Sequence, residues 1–464
     1  MNVRGESITI LGAGLAGSLL AVLLARRGMQ VSVIERQADP RGNNTLAGRS
    51  INLAMAARGI HALSHAGLAG HLDALKCPMP GRMLHPLDGE LQYQRYSGRD
   101  EDINYSVSRA ELNKRLLDAA EAHGARLRFN QRCEHYDPHA GTLSMCDTRD
   151  SDFRYTLSVE RIIAADGAGS PIRRALAQLP DMHVSETLLA HKYQEVAIPP
   201  NADGEFAMDP EALHIWPRGG HMLIALPNPG KDFTATLFMI KHSEDDTPSF
   251  ALWDEPAAAL AFFKREFPDV PELVPDLAEQ LQDNPLGVMG TVRCNRWHHQ
   301  DRCLLIGDAA HAIVPFHGQG MNAAFEDCAA LDVMIDRYDD WRALFAAFSE
   351  ARVPDANAIA TMALENYVEM RDTVRDPTFH LKKALAFAVE SACPNVFIPR
   401  YSMVMFHEGI RYSDAYARGA LQAELLQTWV DGKSDIDQIN IADCVAQARE
   451  QLGELPDSSF FAAL

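Results

Sequence analysis

The stretch "SITILGAGLAGSLLAVLLARRGMQVSVIERQ" (residues 7–37) decides the fold. A short apolar strand runs into Gly12, Gly14 and Gly17. A helical run of leucines and alanines follows, then a second strand closed by Glu35 and Arg36. Gly12 permits a tight turn, Gly14 lets the backbone approach a pyrophosphate, and Gly17 lets the helix pack on the strand. The helix opening at Leu15 offers free N–H groups and partial positive charge, while Glu35 can accept from a ribose 2′-hydroxyl. These residues predict a β-α-β dinucleotide cradle. Alone, they leave open whether the dinucleotide is a nicotinamide that visits or a flavin that stays.

The chain has 464 residues, room for two domains or for one large domain carrying an insertion. Its net charge is −20, from 43 basic and 63 acidic side chains. So acidic a surface repels phosphate backbones and anionic lipids, so nucleic acid is not an expected partner and an anionic ligand needs a local basic site. The eight cysteines (Cys77, Cys133, Cys146, Cys294, Cys303, Cys328, Cys393, Cys444) form no C-x-x-C and have no histidine at ligand spacing. They predict reduced thiols of a cytoplasmic protein with no metal site. The glycine turn interrupts the apolar N-terminus, so no signal peptide is expected. No run reaches the roughly 18 apolar residues of a membrane span. The nearest, "ALAFAVESACPNVFI" (384–398), is broken by Glu390 and Pro394.

Along the chain, residues 50–76 carry helical spacing, and "SVSRAELNKRLLDAAEAHGARLRF" (106–129) predicts a helix capped by Ser108, ended by Gly124 and followed by a strand. Short strands lead to residues 161–167. From 186 to 240 the pattern alternates with period two, and "PRGG" between "ALHIW" and "HMLIAL" signals a hairpin. Residues 245–285 read as acidic, proline-punctuated helices, and beyond 320 nearly everything is helical. The expected fold is α/β, a Rossmann-like nucleotide-binding domain (1–180 with 290–335) carrying an inserted antiparallel β-sheet substrate domain (181–289). A helical C-terminal region (336–464) would complete the active site.

Two later segments bear on the open question. In "RIIAADGAGSPIRRAL" (161–176) an apolar strand ends at Asp166-Gly167, with Arg173 just beyond; in "DRCLLIGDAAHAIVPFHGQGMNAAFEDC" (301–328) a strand ends at Gly307-Asp308 and a helix opens at Met321-Asn322. Gly318 and Gly320 remove side chains where backbone must lie against a flat ring. The helix behind them aims its dipole where negative charge would develop. In order and spacing, the three segments resemble the signatures of the single-component flavoprotein aromatic hydroxylases. That resemblance implies resident FAD. Asp308 would bond a ribityl hydroxyl, Asp166 and Arg173 would organise the pyrophosphate and a transient nicotinamide, and Arg109 and Asn113 would face the flavin.

"GRSINLAMAARGIHAL" (48–63), "GRMLH" (81–85), "SVSRAELN" (106–113), "WPRGGHMLIALPN" (216–228) and "ENYVEMRD" (365–372) extend the resemblance to the soluble, bacterial-type kynurenine-hydroxylating branch of that family. It implies hydroxylation of L-kynurenine to 3-hydroxykynurenine with NADPH as co-substrate and O2 activated at the flavin C4a position, in tryptophan catabolism and NAD biosynthesis. Arg82 and Tyr96 would hold the substrate α-carboxylate, with Asn366 and Tyr401 completing that polar end. A guanidinium suits this task, gripping a carboxylate in bidentate fashion. Asn366 and Met370, four apart, share a helix face. Glu369 on the flank is open between the substrate ammonium and an arginine partner. Phe316 and His317 would lie near the reacting ring, His317 either touching the aniline nitrogen or packing. The amphipathic "YARGALQAELLQTWV" (416–430) is too short to span a membrane and is expected to pack on the protein itself. A homodimer is the candidate assembly. The competing functions are hydroxylation of a salicylate- or anthranilate-like acid and a non-catalytic flavoprotein redox module.

Overall fold

The structure is a computed structural model and describes residues 1–42, 52–71, 73–243, 247–371 and 377–455. The opening stretch forms strand Ser7–Leu11, helix Leu15–Arg26 and strand Gln30–Ile34. Strand Ser7–Leu11 sits inside a six-stranded sheet, with Gln30–Ile34 and Arg126–Arg128 on one side and Ile162–Ala164, Cys303–Leu305 and His298–His299 on the other. All its pairings are parallel except the His298–His299 edge. The chain therefore leaves Ser7–Leu11 in one direction and returns on the other side, so a crevice opens where the ends of Ser7–Leu11 and Ile162–Ala164 diverge. The helix Leu15–Arg26 is apolar nearly all round, because it is sandwiched between the sheet and two further helices, Arg109–Ala122 and Gly320–Ile335.

The expected antiparallel sheet has seven strands, in the order Gly287–Cys294, Val184–Ile198, Phe233–Ile240, Met222–Pro227, Ala212–Pro217, Gly81–Leu84 and Gln92–Arg95. The last two, and most of Gly287–Cys294, lie outside residues 181–289, and Gly81–Leu84 joins by the sheet's single parallel pairing, with Arg82 beside Leu213. Period-two alternation sorts the side chains between two faces. Leu223, Ala225, Phe233, Ala235 and Leu237 pack with Phe262, Phe263 and Phe267 under the helices Pro256–Glu266 and Leu277–Asp283. Each fully buried phenylalanine of that layer contributes about 1.5–3 kcal/mol. Their neighbours Ile224, Leu226, Thr234, Thr236 and Phe238 line a cavity on the opposite face.

One expectation needs correcting. Among the described residues of 50–76 only Ala57–His65 is a regular α-helix; Asn52–Met55 is a strand, captured by antiparallel pairing with Asn104–Ser108. The helix of the 106–129 segment stands as expected, running Arg109–Ala122 with Ser108 as its cap, the Ser108 hydroxyl accepting from Glu111 N–H. Beyond 320 the described chain is helical as expected, through Gly320–Ile335, Trp341–Arg371, Pro377–Ala392, Arg400–Phe406, Tyr412–Val430 and Ile441–Leu452. Residues 416–430 pack through Leu425, Trp429 and Val430 onto the helices on either side.

A buried ion cluster ties these helices to the nucleotide domain. Arg58 pairs with Glu326 at 2.9 Å and lies over the Tyr412 ring, while Arg352 reaches Asp327, Asp355 and Glu326. A second polar chain pins the sheet to its helical cover. His85 lies 3.0 Å from Asp269 and 2.8 Å from His214, and the Trp216 indole donates to Asp269. Burial pushes His214 down to about 4. Asp269→Ala strands the Trp216 N–H and one His85 nitrogen, and should destabilise the protein by about 1–3 kcal/mol in denaturant titration. An unchanged unfolding midpoint would count against the chain as a structural clamp.

Candidate active site

The crevice continues into a cavity of about 700 Å³ running from Glu35 and Arg36 at one end to Arg82 and Tyr401 at the other. Gly12 stands at φ +100°, where a Cβ would come within 2.3 Å of the Ala165 carbonyl oxygen. A Cβ on Gly17 would strike the Gly12 oxygen at 2.0 Å, so this glycine serves helix packing. Gly14 differs: a Cβ there meets nothing within 4 Å, because the residue faces the cavity. Leu15 follows it as a lining residue. The Glu35 carboxylate accepts from the N–H groups of Ala13 and Gln37, at 2.8 Å each, which fixes the acid at the rim with acceptor capacity to spare.

At the next strand end, Asp166 lines the cavity with both carboxylate oxygens buried and without a hydrogen-bond partner, and burial pushes its pKa up to about 6. Asp308 lines it from the third strand end. Behind it, the Gly307 N–H donates to Asp327, whose carboxylate also meets His311 at 2.5 Å and Arg352 at 2.8 Å. Arg173, expected at the pyrophosphate, points elsewhere. Its guanidinium is 1% exposed and is consumed by Glu186 and the carbonyls of Ala168 and Ala309, so it braces the turn after Asp166.

In the "PFHGQGMN" loop Gly318 is left-handed at φ +65°, and a Cβ would press Ala54 at 2.9 Å. Gly320 and Met321 line the cavity at the start of a 16-residue helix that no side chain caps, leaving its first N–H groups available. Asn322 does not line the cavity. Its oxygen accepts from Ala56 N–H, and its amide donates to the Ala54 and Gly318 carbonyls, binding the loop to strand Asn52–Met55. Arg109 and Asn113 both line the cavity from their helix.

The far end holds the expected polar cluster. Arg82, Tyr96, Asn366, Met370 and Tyr401 line it together with Phe316 and His317. Arg82 is buried, and its Nε donates to Gln94 at 3.2 Å. Both terminal nitrogens are left without a protein partner among the described residues. His317, Tyr401 and Tyr96 stack in series, with centroids 5.2 and 5.6 Å apart. The Tyr96 hydroxyl is buried without a hydrogen-bond partner of sound geometry, and burial raises both phenols far above the usual tyrosine range. Burial pushes His317 down to about 4, so its ring is neutral at neutral pH. Asn366 donates to the Phe316 carbonyl at 2.7 Å and so braces the loop as well as lining the cavity. Phe316 stacks on Tyr367 and meets Phe238 edge-on, making an aromatic wall. Glu369 stays outside the lining, near Tyr401 and Lys383. Gln94 and Lys383 had no signal in the chain: Gln94 meets Arg82 through strand pairing, and Lys383 arrives on a helix almost 300 residues further on.

These groups fit flavin adenine dinucleotide. The cavity is elongated, its glycine cradle is open only at Gly14, an unpartnered carboxylate waits at Asp166, and an uncapped helix start meets it at Gly320. Residues 6–338 match the family described as FAD binding domain. Among solved structures, 2-methyl-3-hydroxypyridine-5-carboxylic acid oxygenase aligns at TM-score 0.64 and 17% identity, over 81% of this chain and 95% of that one. PqsL of Pseudomonas aeruginosa aligns at 0.62 and 20%, over 80% and 98%. Fold, site and family model thus define a flavoprotein that binds FAD. Curated proteins named kynurenine 3-monooxygenase from Xanthomonas axonopodis pv. citri and Xanthomonas oryzae pv. oryzae are each 48% identical, over 94–95% of this chain and 95–96% of their own. The chain belongs to the kynurenine 3-monooxygenase family.

The glycines separate folding from cofactor binding. Gly12→Ala should destabilise the protein by several kcal/mol, about 2–4, through strain and clash. Gly14→Ala should fold normally and lose affinity for FAD, read from flavin fluorescence on titrating the apoprotein. A Gly14→Ala variant that binds FAD as tightly as the wild type would move the pyrophosphate elsewhere.

Proposed function

We propose that the chain hydroxylates L-kynurenine at ring position 3, using NADPH and O2. The observation that carries this reading is the buried Arg82, its terminal nitrogens open to the cavity and its flanks formed by Tyr96, Tyr401 and Asn366. A guanidinium in this setting selects a carboxylate, and the aromatic wall of Phe238 and Phe316 accepts a ring. Bound FAD would supply hydride acceptance and oxygen activation, held by Gly12, Gly14, Leu15, Glu35, Arg36, Arg109, Asp166, Asp308, Gly318, Gly320 and Met321. The chain's own residues bind, orient and exclude water. Arg82 and the two phenols fix the amino-acid end, so the ring is presented in one pose, and the apolar face of the sheet keeps the reacting region dry. An amino substituent makes the carbon beside it nucleophilic, so no strong protein base is required, and the neutral His317 agrees with that.

In this reading residues 1–180 with 290–335 hold the cofactor, 181–289 form the substrate sheet with the strands at 81–84 and 92–95, and 336–464 close the site. The eight cysteines are all buried and unpaired, which supports a reducing compartment such as the cytoplasm. Among the described residues no helix is long and apolar enough to cross a membrane.

Arg82→Ala should raise KM for kynurenine about a hundredfold, as a charged hydrogen-bonding partner of the carboxylate is lost, while the flavin spectrum stays intact. NADPH oxidation stimulated equally by salicylate or anthranilate, or not stimulated by kynurenine, would overturn the substrate assignment.

A further inference from the structure

Outside the cavity lining, a half-buried lysine converges on the carboxylate anchor. Lys383 lies on helix Pro377–Ala392, and its ammonium donates to Gln94 Oε1 at 3.4 Å. The same oxygen accepts from Arg82 Nε at 3.2 Å. One neutral acceptor therefore holds two cations side by side, one from a sheet strand and one from a C-terminal helix. The groups around Lys383 are Arg82, Glu369 on helix Trp341–Arg371, and the ring of Phe387 on its own helix; Glu369 in turn acts on the Tyr401 phenol. Its neighbour Lys382 points away and bonds Gln427 at the surface.

We propose that Lys383 is a second cation for the substrate carboxylate, set beside Arg82 by their shared acceptor Gln94. Like charges brought together in a partly desolvated site are costly unless an anion joins them, so the pair is poised for a ligand that brings one. Gln94 occupies one donor of each group, leaving both terminal nitrogens of Arg82 and two ammonium hydrogens of Lys383 to share an incoming carboxylate. Glu369, on the flank, balances one of the two charges and suits the ammonium of an amino acid. The anchor as a whole then matches a zwitterion better than a simple aromatic acid.

The inference rests on the carboxylate-anchor reading above, and adds a proton to it. Burial, helped by Arg82 and opposed by Glu369, pulls Lys383 down to about 7. Near neutrality the lysine is therefore only part-protonated in the free enzyme. A seated carboxylate favours its charged form, and the site must draw a proton from solvent as substrate binds. Below pH 6 the lysine already holds that proton and no uptake remains; towards pH 8 the uptake approaches one proton.

The test is calorimetric titration of L-kynurenine into the FAD-loaded enzyme without NADPH, in pairs of buffers of different ionisation enthalpy. Wild type should take up about half a proton at pH 7 and more at pH 8. Lys383→Met should abolish the uptake and raise KM about tenfold, with kcat at saturation within about threefold. Lys383→Arg should restore KM without proton uptake, since its charge is permanent. Wild-type binding at pH 8 with no proton uptake, or an unchanged KM in Lys383→Met, overturns the inference alone. Failure of the wild type to bind kynurenine overturns the substrate assignment and the inference with it.

Discussion

Asp327 is a carboxylate with no exposure, and much of the molecule is organised around keeping it charged. Burial works against the charge; His311 and Arg352 outweigh it and hold the group below the usual carboxylate range. Through these partners Asp327 joins the strand end at Gly307, the short helix that starts at Asp308, and the long helix beginning at Trp341. Arg352 then carries the connection to Glu326 and Asp355, and Arg58 and Arg411 extend it to residues beyond 400. Breaking such a buried pair leaves an uncompensated charge and costs about 3–5 kcal/mol, so the C-terminal helices are held in fixed register with the nucleotide domain.

That register lets two remote parts of the chain share one cavity. The nucleotide domain contributes three strand ends, each delivering backbone or carboxylate to the same crevice, as parallel sheets do at a switch in strand order. The antiparallel sheet contributes a flat apolar wall, because its other face is committed to the phenylalanines of Phe262, Phe263 and Phe267. The helix Trp341–Arg371 closes the remaining side with Asn366 and Met370. A ring lying between wall and loop would be shielded from water by groups whose positions are set by distant packing.

The polar end follows the same economy. Arg82 sits on a strand whose pairing to Ala212–Pro217 is parallel and whose other neighbour supplies Gln94. The Asp269–His85–His214 chain clamps the far side of these strands to the helical cover. The cation that meets the substrate is thus held through backbone pairing and a polar clamp, which preserves its direction inside a largely apolar cavity.

The amino-acid order alone determined what depends on short-range physics. The tight turn at Gly12, the helix opening after it, and period-two alternation over the inserted sheet each follow from a few neighbouring residues, and all are present. So are the three strand ends that carry Gly12, Asp166 and Asp308 into one crevice. What tertiary structure decided is where side chains point once those pieces pack. Arg173 turned to Glu186 and Asn322 to the Ala54–Ala56 backbone because long-range partners outbid the cavity. Asn52–Met55 became a strand through pairing with a segment some fifty residues away, and Lys383 reached Gln94, the partner of Arg82 on the next strand, from a helix almost 300 residues further on. Periodicity and backbone preference are local and can be read in line, whereas hydrogen-bond partnership inside a core is settled only when distant elements are brought into contact.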